Sequence, residues 1–217
     1  MSRRDVAVRI ARRFDSRFLR GYVVAKLIID PMYEAVLARV AGSPAPIVDV
    51  GCGIGLVGLF LREHGVGVPV TGVDFDRRKV EAGRKAVAQY PDVELRVGDA
   101  RDPLPRTGTV LLLDVLHYFS GDEQRAILRN AAVAADAVIV RDAIRDSSWR
   151  YRATALTETF ARAVFWLKAE RLNFLSLEEI AESFVGFEVE TIPMYGRTPF
   201  NNYMLVFRRE SSGTTNA

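Results

Sequence analysis

The sequence predicts an α/β fold: a doubly wound sheet of seven strands, mostly parallel with one antiparallel strand toward its C-terminal end, preceded by a helical cap. Three observations predict it. Apolar strand-like runs and amphipathic helix-like runs alternate from residue 47 onward, the pattern that lays helices on both faces of a parallel sheet. The first strand, Ile47-Val-Asp-Val50, runs into a glycine-rich turn and then a helix. The last two strand segments are joined by a link too short for a parallel crossover, which makes them antiparallel neighbours.

Residues 1–46 form the cap. Val6, Ile10, Phe14, Phe18 and Tyr22 recur every four residues, an apolar stripe on one helix. A second helix starts after Asp30-Pro31, with Asp30 as N-cap and proline in the first turn. Residues 47–210 form the main domain. Its first helix covers about 55–64, closed by His64-Gly65. A strand near 69–74 precedes a helix at about 77–90. A strand near 93–97 leads through Asp102-Pro-Leu-Pro to another at 109–114, with no helix between them. A helix spans about 121–135, and the fifth strand covers 137–142. A helical region follows at about 147–170. Ser176 and Glu179 then form a capping box for a further helix. Strands at about 187–193 and 202–208 finish the fold, and the small polar residues 211–217 are expected to be a flexible tail.

Composition narrows the class. A chain of 217 residues supports one good core, and 49% hydrophobic residues is ordinary for a globular protein. The single cysteine excludes an internal disulfide and a zinc-thiolate cluster, and suits a reducing cytoplasm. No run approaches the ~20 apolar residues of a membrane helix. Val23–Ile29 is apolar but short, is interrupted by Lys26, and lacks the small-residue cleavage site of a signal peptide. Residues 1–20 hold seven arginines against two aspartates, a balance of +5 in a chain of net charge +3, so the remainder is slightly acidic. That asymmetry argues against a broad nucleic-acid face. It suits either a solvated helix face or docking of an acidic carrier protein.

The turn Gly51-Cys-Gly53-Ile-Gly55-Leu-Val-Gly58 carries the chemistry. Glycines let backbone approach a ligand closely, and the helix beyond offers its unpaired N–H groups. Two cofactors compete for it. Gly53-x-Gly55-x-x-Gly58 with Asp74 about twenty residues on satisfies a dinucleotide fingerprint, which points to NAD and an oxidoreductase. Gly51 and the acidic Asp49 favour a ligand with an ammonium group and no pyrophosphate, because a carboxylate there would repel phosphate.

Val-Asp49-Val-Gly51-Cys-Gly53-Ile-Gly55 resembles the first motif of the class I S-adenosylmethionine-dependent methyltransferases, and the order of the pieces over 47–120 is similar to theirs. The resemblance implies a Rossmann-like fold and S-adenosylmethionine as cofactor. It implies that Asp49, Gly51, Gly53 and Gly55 cradle the amino-acid part, that Asp74 holds the ribose, and that Asp99 with Ala100 meets the adenine. Asp114 would lie beside them at the end of strand four. Asp74 also reads as a helix N-cap, Asp99 as a turn residue and Cys52 as a small filler.

The ligand crevice of such a sheet lies beyond the carboxyl ends of its strands. His117, three residues past Asp114, is the candidate general base, and Asp142 at the exit of strand five is the candidate orienter or second acceptor. Six aromatic residues fall between Ala143 and Leu175, well above the 10% of the whole chain, and favour an aromatic or apolar acceptor. Tyr22, Tyr118, Trp149, Tyr195, Arg197 and Asn201 are the candidate substrate contacts. Asp114-Val-Leu-His stands where many base- or glutamine-directed amino-methyltransferases carry Asn/Asp-Pro-Pro-Tyr/Phe, which looks like the small-molecule branch with C- or O-methylation. Leu112–Tyr118, Val140–Ala143 and Arg197–Asn202 also resemble a bacterial group associated with aryl polyene pathways; that resemblance implies a phenolic aryl acceptor, carrier-bound or free. A non-catalytic subunit of the same fold is the remaining alternative.

Overall fold

The computed structural model describes residues 2–152, 173–195 and 200–210. Seven strands form one sheet: β1 Ile47–Val50, β2 Val70–Asp74, β3 Val93–Val97, β4 Thr107–Leu113, β5 Ala135–Ala143, β6 Phe187–Pro193 and β7 Asn202–Arg209. Their spatial order is β3-β2-β1-β4-β5-β7-β6. The strands β1 to β5 pair in parallel, and β7 runs antiparallel between β5 and β6. The expected sheet is therefore the observed one, with strand order reversing between β1 and β4. The central strands are buried on both faces, β4 along its whole length, as parallel strands sandwiched by helices must be.

Among the described residues the helices are α1 Arg3–Ala11, α2 Arg17–Ile29, α3 Met32–Val40, α4 Leu56–Glu63, α5 Arg77–Val87, α6 Gly121–Ala134 and α7 Leu177–Ala181. One apolar core joins α1–α5 to Ile47, Leu111, Ile139 and Val206 on one sheet face. A second joins α6 and α7 to Val48, Val110, Val138 and Phe207 on the other. Alternate residues of each strand feed opposite cores, as the pleat dictates. Ser120 and Ser176 each close a capping box, with Glu123 and Glu179.

The single stripe-bearing helix at the N-terminus is corrected. The helix stops at Ala11, and Ser16 caps a new one by accepting the Leu19 N–H at 3.4 Å. Val6, Ile10 and Phe14 are buried, but Phe18 is 64% and Tyr22 46% exposed, and α2 buries Val23 and Leu27 instead. The four-residue period carried across the break by coincidence. A serine cap ended the run because its hydroxyl satisfies an N–H that helix continuation would otherwise bond. The helix after Pro31 is thus the third, and its N-cap is Pro31 rather than Asp30; Asp30 is the C-cap of α2 and its carboxylate accepts the Met32 N–H at 3.0 Å. Smaller differences are that β4 begins at Thr107 and that α6 passes into β5 without a loop. Of the expected helix at 147–170, residues 149–152 are helical and 153–172 lie outside the described residues, as does the tail.

Candidate active site

The glycine turn between β1 and α4 is built by three left-handed glycines. Gly51, Gly53 and Gly55 have φ of +78°, +58° and +75°. A Cβ on Gly51 would meet Val115 Cγ2 at 2.6 Å, and one on Gly55 would meet Leu95 Cδ1 at 2.8 Å. A Cβ on Gly53 would find no atom within 4 Å. Gly51 and Gly55 are thus demanded by packing, whereas Gly53 faces open space in which a ligand can touch backbone.

Two acids frame that space. Asp74 is buried at the end of β2; its Oδ2 accepts the Gly53 N–H at 2.8 Å and its Oδ1 the Asp76 N–H at 2.9 Å. The N-cap of α5 is Asp76, so Asp74 is released from that role. Each oxygen keeps a second lone pair. Asp49, on β1, is 3% exposed, and among the described residues no protein group donates to its carboxylate. Burial, and then the charge of Asp74, push its pKa up to about 7. A buried carboxylate without a donor is costly, and a cationic partner relieves it. The donorless Asp49 and the open Gly53 therefore fit a cofactor that presents an ammonium group. Cys52 is pushed far up by burial and packs against Gly72, as a filler does.

Asp99 and Ala100 follow β3. The Asp99 carboxylate is held by Arg101, through Nη2 at 2.6 Å and Nε at 2.9 Å, which keeps it below the ordinary carboxylate range. Ala100 packs against the second core, on the α6 face of the sheet.

Asp114 follows β4 with φ +56°, the one non-glycine residue with positive φ among those described. This left-handed turn swings its carboxylate back onto the face of the cap, where it meets the Arg141 guanidinium and, at 3.5 Å, Lys26 Nζ. Arg141 Nη2 reaches Asp30 at 3.4 Å, and Lys26 reaches Asp30 at 2.7 Å. Two cations and two carboxylates thus tie α2 to the ends of β4 and β5. Sequence reading missed this network, although Arg141 directly after the apolar run Val138-Ile-Val140, near the end of a buried strand, was a signal that could have found it.

On the other sheet face, His117 and Asp142 come together as the sequence suggested. His117 Nδ1 lies 2.6 Å from Asp142 Oδ1, and the His117 amide N–H donates to Oδ2 at 3.3 Å. With Nδ1–H donating to the carboxylate, the neutral ring carries its lone pair on Nε2. Tyr118 lies 4.2 Å and Phe174 5.9 Å from the imidazole, centroid to centroid, and Tyr151 packs edge-on against Phe174. Asn173 N–H donates to His117 O at 3.0 Å, pinning the loop.

The remaining candidates separate. Tyr22 lines a cavity beside α2. The Tyr195 hydroxyl lies 2.5 Å from that of Tyr203, with the Arg150 guanidinium over its ring at 4.2 Å and Trp149 on the other contact of Arg150. Asn201 is fully buried and donates to Ile144 O and Asp146 at 2.8 and 2.9 Å, a loop-building role. Arg197 lies outside the described residues. No group of metal-ligating side chains occurs among the described residues, and no helix among them is long and apolar enough to cross a membrane.

Comparison with known proteins bears on this geometry. Residues 47–136 match the family model described as "Methyltransferase domain". A trans-aconitate 2-methyltransferase of Mycolicibacterium gilvum is 38% identical over 91 residues, 41% of this chain and 33% of that protein. An O-antigen chain terminator bifunctional methyltransferase/kinase of Escherichia coli is 26% identical over 121 residues, 51% of this chain and 17% of that protein. The chain thus spans a third or less of these curated relatives. In fold it is similar to the magnesium protoporphyrin IX methyltransferase of Synechocystis PCC 6803 with bound SAH, at a TM-score of 0.66, 20% identity and coverage of 95% and 94% of the two chains. Residues 47–136 match a methyltransferase domain, and the seven-stranded sheet around them has the fold of solved methyltransferases.

Proposed function

We propose that the enzyme methylates a small aromatic or apolar acceptor at oxygen or carbon, with His117 as general base and Asp142 as its orienter. The cofactor supplies an activated methyl carbon for in-line displacement. The protein must hold it, align the acceptor, exclude water and take up one proton. Asp49 faces the ammonium group, Gly51, Gly53 and Gly55 admit the backbone contact, and Asp74 accepts from the ribose hydroxyls with its spare lone pairs. Asp99 and Ala100 sit toward the adenine, a role for Asp99 that it shares with binding Arg101. Asp114 closes the site against the cap. Residues 1–46 act as the cap of the site, and 47–210 as the catalytic domain.

The observation that carries the reading is the 2.6 Å His117–Asp142 contact within a ring of Tyr118, Phe174 and Tyr151. It leaves the basic imidazole nitrogen in aromatic surroundings at the carboxyl ends of the strands. Two of the three named proteins act on small molecules by their names, trans-aconitate and magnesium protoporphyrin IX, which supports a small-molecule acceptor. A phenolic aryl group, presented free or on an acidic carrier, fits the aromatic surroundings and the exposed Arg4, Arg12, Arg17 and Arg20 of the cap. Labelled cofactor incubated with an aryl acceptor panel tests this. His117→Ala should keep cofactor affinity and slow turnover about 10²–10⁴-fold. A variant at full speed would remove His117 from the chemistry.

A further inference from the structure

A cavity of about 340 Å³ lies between α2 and the ends of β5 and β7, small for a ligand site and of a size for one or two rings. Its walls are mainly apolar, with Tyr22, Ile29, Met194 and Phe200 around the cationic groups of Lys26 and Arg141. Arg141 is 6% exposed, and its Nε is buried without an acceptor. Of its five N–H donors, one faces Asp114 through Nη1 and one makes the long 3.4 Å contact to Asp30. Lys26 adds three donors and makes one close bond, at 2.7 Å to Asp30. Arg141 Nε is therefore an unmet donor in a largely apolar wall, where that is costly. Asp30 and Asp114 balance the formal charge, so net attraction does not draw a bare anion here. A ligand has to bring an apolar body together with acceptor oxygens.

We propose that this cavity binds the carboxylate-bearing end of the acceptor, an aryl carboxylate, with the carboxylate received by Arg141 and Lys26 and the adjoining apolar part by Tyr22, Met194 and Phe200, so that the methylated atom is left to reach His117 across the strand ends. A planar guanidinium with an unmet N–H matches the acceptor oxygens of a carboxylate in geometry better than any neutral oxygen group does. The inference rests on the methyltransferase reading and narrows its substrate class.

The test measures binding of benzoate and 2-naphthoate, against benzamide and 2-naphthamide, to the protein saturated with S-adenosylhomocysteine, by calorimetry. The acids should bind about tenfold or more tightly than their amides. Arg141→Lys and Lys26→Met should each erase most of that preference while retaining S-adenosylhomocysteine binding. Amides binding as well as acids, no acid binding at all, or a preference that survives both variants overturns the proposal. Should Arg141→Lys fail to fold, the wild-type comparison and the partly exposed Lys26 position still decide it. Failure of wild-type protein to bind S-adenosylhomocysteine strikes the methyltransferase reading instead. Methyl transfer to neutral aryl acceptors without acid preference strikes this inference alone.

Discussion

Asp49 sets how the empty and loaded sites respond to pH. Its pKa is raised to about 7 in the fold, chiefly by burial, against about 3.9 in an unfolded chain. A group raised on folding stabilises fully below the unfolded value, and that contribution is lost as pH rises through the folded value. The protein without cofactor should therefore lose stability between about pH 4 and 7, and Asp49→Asn should lessen that loss. Binding an ammonium group demands the ionised form, so cofactor affinity should instead rise with pH up to about 7 and level off above it. Calorimetry in buffers of different ionisation enthalpy at pH 6 should detect a released proton for wild type and none for Asp49→Asn; equal proton release would detach Asp49 from the cofactor. The glycines separate in the same way. Gly53→Ala, facing open space at φ +58°, should cost roughly 1–2 kcal/mol of stability but sharply weaken cofactor binding. Gly51→Ala, which would drive a methyl into Val115, should cost more stability than Gly53→Ala. Chemical denaturation alongside binding titration distinguishes the two.

At the scale of elements, the strands were legible because period and length set them apart from helices, and the glycine turn because glycine and acid types recur at short spacing. Elements whose ends depend on one competing hydrogen bond were not. Phe14, Phe18 and Tyr22 continue a helical period across Arg12–Ser16, yet Ser16 caps a new helix there. The cap's orientation depends on contacts no local pattern encodes: Arg3 Nε and Nη2 take the Leu27 and Asp30 carbonyls at 2.8 and 2.5 Å, and Arg13 bridges Glu63 and Tyr90. Losing the N-cap hydroxyl in Ser16→Ala should destabilise the fold by about 1 kcal/mol. Denaturant melts should show a lowered midpoint at constant slope, whereas an unchanged midpoint would mean that tertiary contacts alone hold the break.

For the molecule as a whole, the sheet order brings residues far apart in sequence to one edge, and this decides how much of the site could be read beforehand. His117 and Asp142 were both legible as strand-end residues, but their 2.6 Å pairing depends on β4 lying beside β5. Lys26, Asp30, Asp114 and Arg141 were illegible as a group because Asp30 and Arg141 are 111 positions apart and meet only once α2 is seated. That network joins the cap to the strands at the edge where the cofactor space opens. A ligand seated there contacts β1 and β2 while the cap is held by β4 and β5, so binding should stabilise the whole chain as one unit. At a concentration a hundredfold above Kd, ligand linkage supplies about 2.7 kcal/mol, which for a chain of this size raises Tm by roughly 5–10 °C. S-adenosylhomocysteine should produce that shift in a single calorimetric transition, and NAD at the same concentration should produce none. A split transition would show the cap melting separately. A shift with NAD alone would return the glycine turn to the dinucleotide reading that Asp49 argues against.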